Sequence, residues 1–385
     1  MKPIYLDHNA TEFMLESVGR AMTDPGGSEH GNPSAAYARG RQARQAVEAS
    51  RAEICEQIAA RPSELTFTSG GTESNVSAVH HVILAARRAG IALPRLLIGA
   101  SEHSSILGAA AQYEAAGLCR TDSLRVAGDG TPDLDQLASD LEGAQGLFLM
   151  AANNETGVLA DLAAISALVE KHNVHWHCDM VQVLGKMAVD LAAAPGIGTA
   201  AFSAHKLGGP KGIGALFVRG GLDFFPLLAG SMQEAGRRAG TENVGGCVGF
   251  AAAAREIPGR VRARPKLVAM SEHLIAGLAK TCPGCVIHGA LAPNVGNTVS
   301  VSVRSRSGDW ADGEELVVDL AHAGYEVATG AACSTGSGRA SHVLLAMGVS
   351  SAQAHGSLRV SLGLRTTLED LEGFLEALAM ALEAY

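Results

Sequence analysis

Along this chain, short apolar runs alternate with stretches in which apolar residues recur every three or four positions. Leu65–Thr68 is the first clear run, and the pattern after it predicts a helix from about Glu73 to Ala89. Arg95–Gly99 precedes a helix beginning near His103, and Leu147–Met150 precedes one over Leu162–Lys171. Val174–Cys178, Thr199–Phe202 and Gly214–Val218 predict further strands. Strands alternating with helices at this spacing predict an α/β fold, with a mainly parallel sheet covered by helices. Ligands of such sheets bind at the carboxyl ends of the strands, so the chemistry is expected there.

Near Pro258–Pro265 the texture changes, and Ile257-Pro258-Gly259-Arg260-Val261-Arg262 reads as a hinge. Beyond it come a helix, a strand over Thr298–Val303, a helix from about Gly313, a Gly/Ala/Ser loop and a last helix from Leu368. This predicts a large domain over residues 15–257 and a smaller α+β domain formed by residues 1–14 together with 258–385. No internal repeat or low-complexity linker interrupts the pattern.

Composition narrows the function classes. A net charge of −9, with no basic run, argues against nucleic acid as a partner. Met1 to Asp7 lack the apolar core of a signal peptide, and no stretch approaches the roughly 18 apolar residues of a membrane helix. The seven cysteines are odd in number and scattered, which predicts reduced thiols and a cytoplasmic protein.

Four motifs carry candidate chemistry. Phe202-Ser203-Ala204-His205-Lys206-Leu207-Gly208-Gly209 sets a lysine directly after an apolar strand. Desolvation there lowers its pKa and makes the amine a nucleophile for Schiff-base chemistry, although a surface lysine in a Gly-rich loop is the plainer alternative. Lys211 lies further from the strand end, so Lys206 is preferred. Val174-His175-Trp176-His177-Cys178-Asp179 ends a strand in a carboxylate, which needs a strong partner such as a pyridinium nitrogen. His175, His177 and Asp179 share one strand face, which leaves a metal site open as a second reading. Thr68-Ser69-Gly70-Gly71-Thr72-Glu73-Ser74 joins strand to helix and suits a phosphate, or serves only as a helix cap. Thr329-Gly330-Ala331-Ala332-Cys333-Ser334-Thr335-Gly336 surrounds one thiol with small residues, so Cys333 is either a reactive thiol or an incidental loop cysteine.

Taken together these segments resemble the cysteine desulfurases of the nitrogen-fixation and iron–sulfur-assembly type, a branch of the class V aminotransferase-like enzymes. The resemblance runs nearly end to end and includes Tyr5–Thr11, Gly31–Ser34, Glu102-His103, Ala152–Gly157, Gln233–Asn243 and Leu358–Gly363. It implies a type I pyridoxal-phosphate transferase fold. It also implies that Lys206 is the Schiff-base lysine, that Asp179 pairs with the ring nitrogen, and that His103 stacks on the ring as a candidate proton shuttle. Asn154 and Gln182 are expected at the phenolic oxygen. Gly71, Thr72, Ser203 and His205 are expected at the phosphate, with Thr241 arriving from the partner of a homodimer. Arg359, helped by Asn32, is expected to hold the substrate carboxylate.

The implied reaction removes sulfur from L-cysteine, giving L-alanine and a persulfide on Cys333 for an acceptor protein, in iron–sulfur cluster assembly or a related thiolation. Selenocysteine lyase, another amino-acid lyase or aminotransferase, and an acceptor-dependent sulfur-transfer partner are the competing functions. Ala331, Ala204 and Met180-Val181 depart from the commonest forms of the family. The chain ends at Tyr385, where the housekeeping members carry a further tail that helps dock a scaffold, and that partner is in doubt. Cys282-Pro283-Gly284-Cys285 has no second pair and is read as without function. No metal is expected.

Overall fold

The computed structural model describes residues 3–23, 31–330 and 340–383; Cys333 and Ala331 therefore lie outside the described residues. The chain opens with β1 (Ile4–Tyr5), α1 (Glu16–Met22) and α2 (Ala38–Glu56), then β2 (Leu65–Thr68). Helix and strand alternate from there through α3 (Gly71–Arg88), β3 (Arg95–Gly99), α4 (Ser104–Ala115), β4 (Arg120–Leu124), α5 (Leu134–Asp140), β5 (Gly146–Phe148), α6 (Leu162–His172) and β6 (His175–Asp179). Two strands come directly after, β7 (Ile197–Ser203) and β8 (Gly214–Val218). These form a seven-stranded sheet in the order β2-β8-β7-β6-β5-β3-β4. Only β8 runs against its neighbours. The mainly parallel sheet expected from the alternation is present.

Helices α7 (Val244–Ala254) and α8 (Ile257–Thr281) lead to β9 (Val286–His288), β10 (Thr298–Ser302), α9 (Gly313–His322), β11 (Tyr325–Glu326) and β12 (Ala328–Thr329). The chain closes with α10 (His342–Ala346), α11 (Ser351–His355), β13 (Ser357–Ser361) and α12 (Leu368–Leu382). Here the sheet has four strands, in the order β12-β13-β10-β9, and all its pairings are antiparallel. Its core of Val299, Val301, Leu358, Val360 and Phe374 also takes in Leu6 from the N-terminus, while β1 pairs with β11.

The junction after the large sheet and one strand within that sheet differ from the sequence reading. The expected hinge at Ile257–Arg262 is the first turn and a half of a continuous 25-residue helix, α8. Pro258 sits at its start, where its missing N–H removes no intrahelical bond, and Pro265 is carried within it. Strand β4 has no counterpart in the apolar pattern because Arg-Thr-Asp-Ser-Leu is largely polar. It is an edge strand, and an edge needs little apolar surface.

Strand β6 lies at the middle of the large sheet and is fixed firmly in place. Trp176 is fully buried and its Nε1 donates to the Leu149 carbonyl (3.1 Å), which locks β6 to the chain leaving β5. Asp161 caps α6 by accepting from the Ala164 amide (3.0 Å), and Asn173 ends that helix in the left-handed region (φ 52°), turning the chain into β6.

Candidate active site

At the carboxyl ends of the parallel strands lies a cavity of about 250 Å³. Strand β6 brings Asp179 to its wall, with Gln182 one turn on; β7 ends in Ser203, and the short 3₁₀ turn Ala204–Lys206 delivers His205 and Lys206. The first turn of α3 supplies Gly71 and Thr72, His103 caps α4, and Asn154 comes after β5. Arg359 arrives from β13 of the smaller sheet. Ten of the residues singled out from the sequence thus converge, from segments spread across nearly 290 positions.

Each is held by specific contacts. Lys206 Nζ donates to the carbonyls of Asn9 (2.6 Å) and Ala10 (2.9 Å). Asp179 accepts from the Val181 amide through Oδ1 (2.9 Å) and from Asn75 Nδ2 through Oδ2 (2.7 Å). His103 Nδ1 accepts from the Ser105 amide (3.1 Å) and lies 2.8 Å from Ser105 Oγ, so its exchangeable proton belongs on Nε2. Burial keeps His103 below the usual histidine range, with Lys206 and His342 adding to the effect and Asp179 opposing it. His205 is pushed down to about 4 by burial and by Lys206 and Lys211, so it is neutral at pH 7.

The N-terminus of α3 has no side-chain cap, and its first turn faces the cavity. Uncapped amides with a helix dipole behind them favour an anion. The departures at 181 and 204 lean on glycines here. A Cβ at Gly71 would stand 2.7 Å from Val181 Cγ2, and one at Gly209 would stand 2.8 Å from Ala204 Cβ. Both larger residues are therefore accommodated by the missing Cβ of the glycine that faces them.

Arg359 is almost fully buried. Its Nη2 donates to Asp7 Oδ1 (2.6 Å) and its Nη1 to the Asn154 carbonyl (3.3 Å), while Nε has no partner among the described residues. A buried guanidinium with an unused donor suits an incoming carboxylate. Asn32 and Thr241, by contrast, are exposed and outside the cavity of the single chain; Asn32 Oδ1 accepts from the Ser34 amide (2.9 Å). The segment before Thr241 is nonetheless pinned. Glu234 is buried and accepts from Arg51 Nη1 (2.7 Å), Arg51 Nη2 (2.8 Å) and the Phe67 amide (2.7 Å).

Sequence reasoning missed Asn75, which bonds Asp179 from the cavity wall, and two further residues of this neighbourhood. Asn9 and Lys186 join the bases of Gln182 and Lys206. Lys186 Nζ donates to Asn9 Oδ1 and Gln182 Oε1 (2.6 Å each), and Gln182 Nε2 donates to the Asn9 carbonyl (3.1 Å). Burial, reinforced by the positive charges of Lys206, Arg359 and Arg260, holds the Lys186 amine far below its ordinary pKa. A polar side chain in the apolar Val183-Leu184-Gly185-Lys186-Met187 stretch was the available signal. The N-terminal strap carrying Asn9 is fastened by Glu12, which meets His8 (2.9 Å) and Arg260 (3.0 Å) and whose carboxyl is lowered to about 2.

Glu102, beside His103, is fully buried. Its Oε1 accepts from the Met150 amide, and Oε2 has no partner among the described residues. Burial, with Asp179 close by, pushes the carboxyl up to about 8. An unfolded glutamate ionises near about 4.3, so between that value and about 8 the folded protein holds a proton that the unfolded chain releases. Stability should therefore fall as pH rises across that window. Glu102→Gln cannot ionise, so its melting temperature is expected to decline less than the wild type's between about pH 5 and pH 8. Equal declines would rule out Glu102 as the source.

The comparisons with known proteins agree with this geometry. A family model described as aminotransferase class-V matches residues 4–374. The cysteine desulfurase of Trichormus azollae is 35% identical over 385 residues, covering 100% of this chain and 94% of the relative. Cysteine desulfurase IscS of Dictyoglomus turgidum is 34% identical, covering 99% and 95%. A solved NifS-like protein superposes over 100% of both chains with a TM-score of 0.90 at 29% identity, and one from Rickettsia africae over 98% and 99% with 0.86 at 29%. The residues in the cavity wall fit the cofactor of that family: an uncapped helix start for a phosphate, a buried carboxyl group for a ring nitrogen, and a lysine amine in the wall for an aldehyde. The chain therefore belongs to the class-V aminotransferase family of pyridoxal-phosphate-dependent enzymes and, within it, to the cysteine desulfurases.

Proposed function

We propose that this enzyme removes sulfur from L-cysteine, leaving L-alanine and a persulfide on Cys333. The convergence of Lys206, Asp179, His103 and Arg359 on one cavity wall carries this reading. A structural neighbour described as SspA in complex with cysteine, 25% identical with a TM-score of 0.81, supports the substrate.

Pyridoxal phosphate, when bound, supplies an electron sink for the pair left as the substrate α-proton departs. Gly71, Thr72, Ser203 and His205 would hold its phosphate, Asp179 would pair with its ring nitrogen, and Asn154 and Gln182 would meet its phenolic oxygen. Lys206 anchors the group through Nζ and then takes the α-proton. His103 Nε2 is the nitrogen that can return a proton. Arg359, with Asn32, orients the substrate carboxylate. The Cys333 thiolate then attacks the substrate sulfur: a sulfur–sulfur bond forms, the carbon–sulfur bond breaks, and its electron pair leaves with the carbon, which is protonated to alanine.

None of the described cysteines lines the cavity. Burial pushes Cys55 and Cys282 up to about 12 and Cys119 up to about 11, and raises Cys178, Cys247 and Cys285 as well. We further propose a homodimer in which Thr241 reaches the partner's phosphate, and a division into residues 15–257 and residues 1–14 with 258–385. A cytoplasmic role in delivering sulfur to an acceptor protein, for iron–sulfur clusters or a related thiolation, completes the proposal. No helix among the described residues is long and apolar enough to cross a membrane.

Purified protein given L-cysteine and a thiol reductant is expected to release alanine and sulfide in equal amounts. Neither product from L-cysteine, with alanine formed only from selenocysteine, would reassign the enzyme as a selenocysteine lyase. Transfer of an amino group to an oxoacid without sulfide would make it an aminotransferase.

A further inference from the structure

His175, His177 and Asp179 occupy one face of β6, and the structure gives that face a use other than metal binding. Among the described residues no group of three or more His, Cys, Asp or Glu side chains is placed to hold a metal ion. The pairing of β6 with β7 slips by one residue between Trp176 and His177, leaving Gly198 as the extra residue of a bulge. This sets Thr199 opposite His177. The His175 ring packs onto Gly198, where a Cβ would come within 2.8 Å of Cε1. Thr199 Oγ1 then lies 2.9 Å from both His175 Nε2 and His177 Nδ1. His177 Nε2 lies 2.9 Å from Asn75 Oδ1, and Asn75 Nδ2 reaches Asp179 Oδ2 at 2.7 Å. Asn75, His177 and Thr199 are all almost fully buried.

The direction of every bond in this chain is fixed by elimination. The Asn75 amide nitrogen only donates, so its two hydrogens go to Asp179 Oδ2 (2.7 Å) and Ser105 Oγ (2.9 Å). Asn75 Oδ1 is then an acceptor and needs a hydrogen on His177 Nε2. Burial holds His177 down to about 3, so it is neutral, Nδ1 is bare, and Thr199 must give it its hydroxyl hydrogen. Thr199 Oγ1 in turn accepts from His175 Nε2–H. The competing tautomer would put the His177 hydrogen on Nδ1, toward the nearby Thr199 backbone carbonyl. It would leave Asn75 Oδ1 and a bare Nε2 facing each other at 2.9 Å, two acceptors with no hydrogen between them.

We infer that His175, Thr199, His177 and Asn75 form a one-way hydrogen-bond relay that positions Asp179 as an acceptor for the cofactor ring. Aligned bonds of this kind polarise one another and stabilise negative charge at their accepting end. Asn75 is its branch point. Through Ser105 it also reaches His103 Nδ1, which leaves that ring's proton on Nε2. These four are positioning residues, acting through Asp179 and His103, and the inference rests on the reading that Asp179 meets the ring nitrogen.

The test uses full-length protein with ¹⁵N-labelled histidine. With or without cofactor, the spectrum is expected to show His177 with hydrogen on Nε2 and a bare Nδ1. Thr199→Val deletes one hydroxyl at constant shape. It is expected to lower kcat for alanine formation about five-fold with KM for L-cysteine unchanged, and Thr199→Ser is expected to restore it. A hydrogen on His177 Nδ1, or a Thr199→Val enzyme with wild-type kcat, would each overturn the relay. Asp179→Asn separates the relay from the role of Asp179 itself. If it alters the cofactor's absorbance and affinity while either relay result fails, only the relay is lost. If it leaves both untouched, the reading of Asp179 falls and the inference falls with it.

Discussion

Lys206→Ala is expected to cut desulfurase turnover by at least about three orders of magnitude and to abolish covalent capture of the cofactor. The two losses have separate physical origins. The Lys206 amine is held in the cavity wall by the carbonyls of Asn9 and Ala10 and is the group proposed to bond the cofactor aldehyde. It is also the base proposed for the α-proton, and a positioned base contributes roughly 10²–10⁴-fold by itself. Reduction of the wild-type protein with borohydride should fix the cofactor on a peptide containing Lys206, as read by mass spectrometry. Capture on Lys211 would move the assignment one turn along the loop, and capture on Lys186 would move it to the buried amine behind Gln182. The phosphate site proposed at α3 does not include the lysine, so the alanine variant should still bind cofactor reversibly. A variant unable to bind it at all would point to a folding defect, which a melting curve separates from lost chemistry.

Cys333→Ser is expected to lower alanine formation from L-cysteine by about two orders of magnitude or more and to leave the cofactor spectrum unchanged. A serine hydroxyl is scarcely ionised near neutrality and cannot carry sulfur as a persulfide, while its shape is nearly that of cysteine. Cys333 itself lies outside the described residues, but both flanks are placed. Gly330 abuts Glu155 and Ser357: a Cβ there would stand 3.6 Å from Glu155 Oε2 and 2.6 Å from Ser357 Oγ. On the far side, Ser341 Oγ donates to Glu155 and His342 Nε2 meets the Glu102 carbonyl (2.9 Å). Glu155 is next to Asn154 and Glu102 is next to His103, so Gly330, Ser341 and His342 all lie near residues of the cavity wall. Undiminished alanine production by the serine variant would remove Cys333 from the mechanism and favour the lyase or aminotransferase readings.

Much of this protein was legible in its sequence because the relevant signals are local. Alternating apolar runs and helical periodicity specified the parallel sheet, since each strand and each covering helix must bury its own apolar face. Lys206, Asp179 and the Gly71-Thr72 turn announced themselves because a polar group at the end of an apolar strand has to have a partner. The tertiary structure decided what those partners are. Asn9 and Lys186 meet across 177 positions, Asn75 and Asp179 across 104, and Arg359 and Asp7 across 352. No periodicity links such pairs, because they become neighbours only when separate elements pack. The course of α8 through Pro258 and Pro265 and the bulge at Gly198 were likewise settled by packing, against the local preference for a break. The sequence by itself determined which chemical groups are present and on which elements they ride. The buried contacts that orient those groups, and hence their protonation, exist only in the fold, where exclusion of water makes each hydrogen bond obligatory.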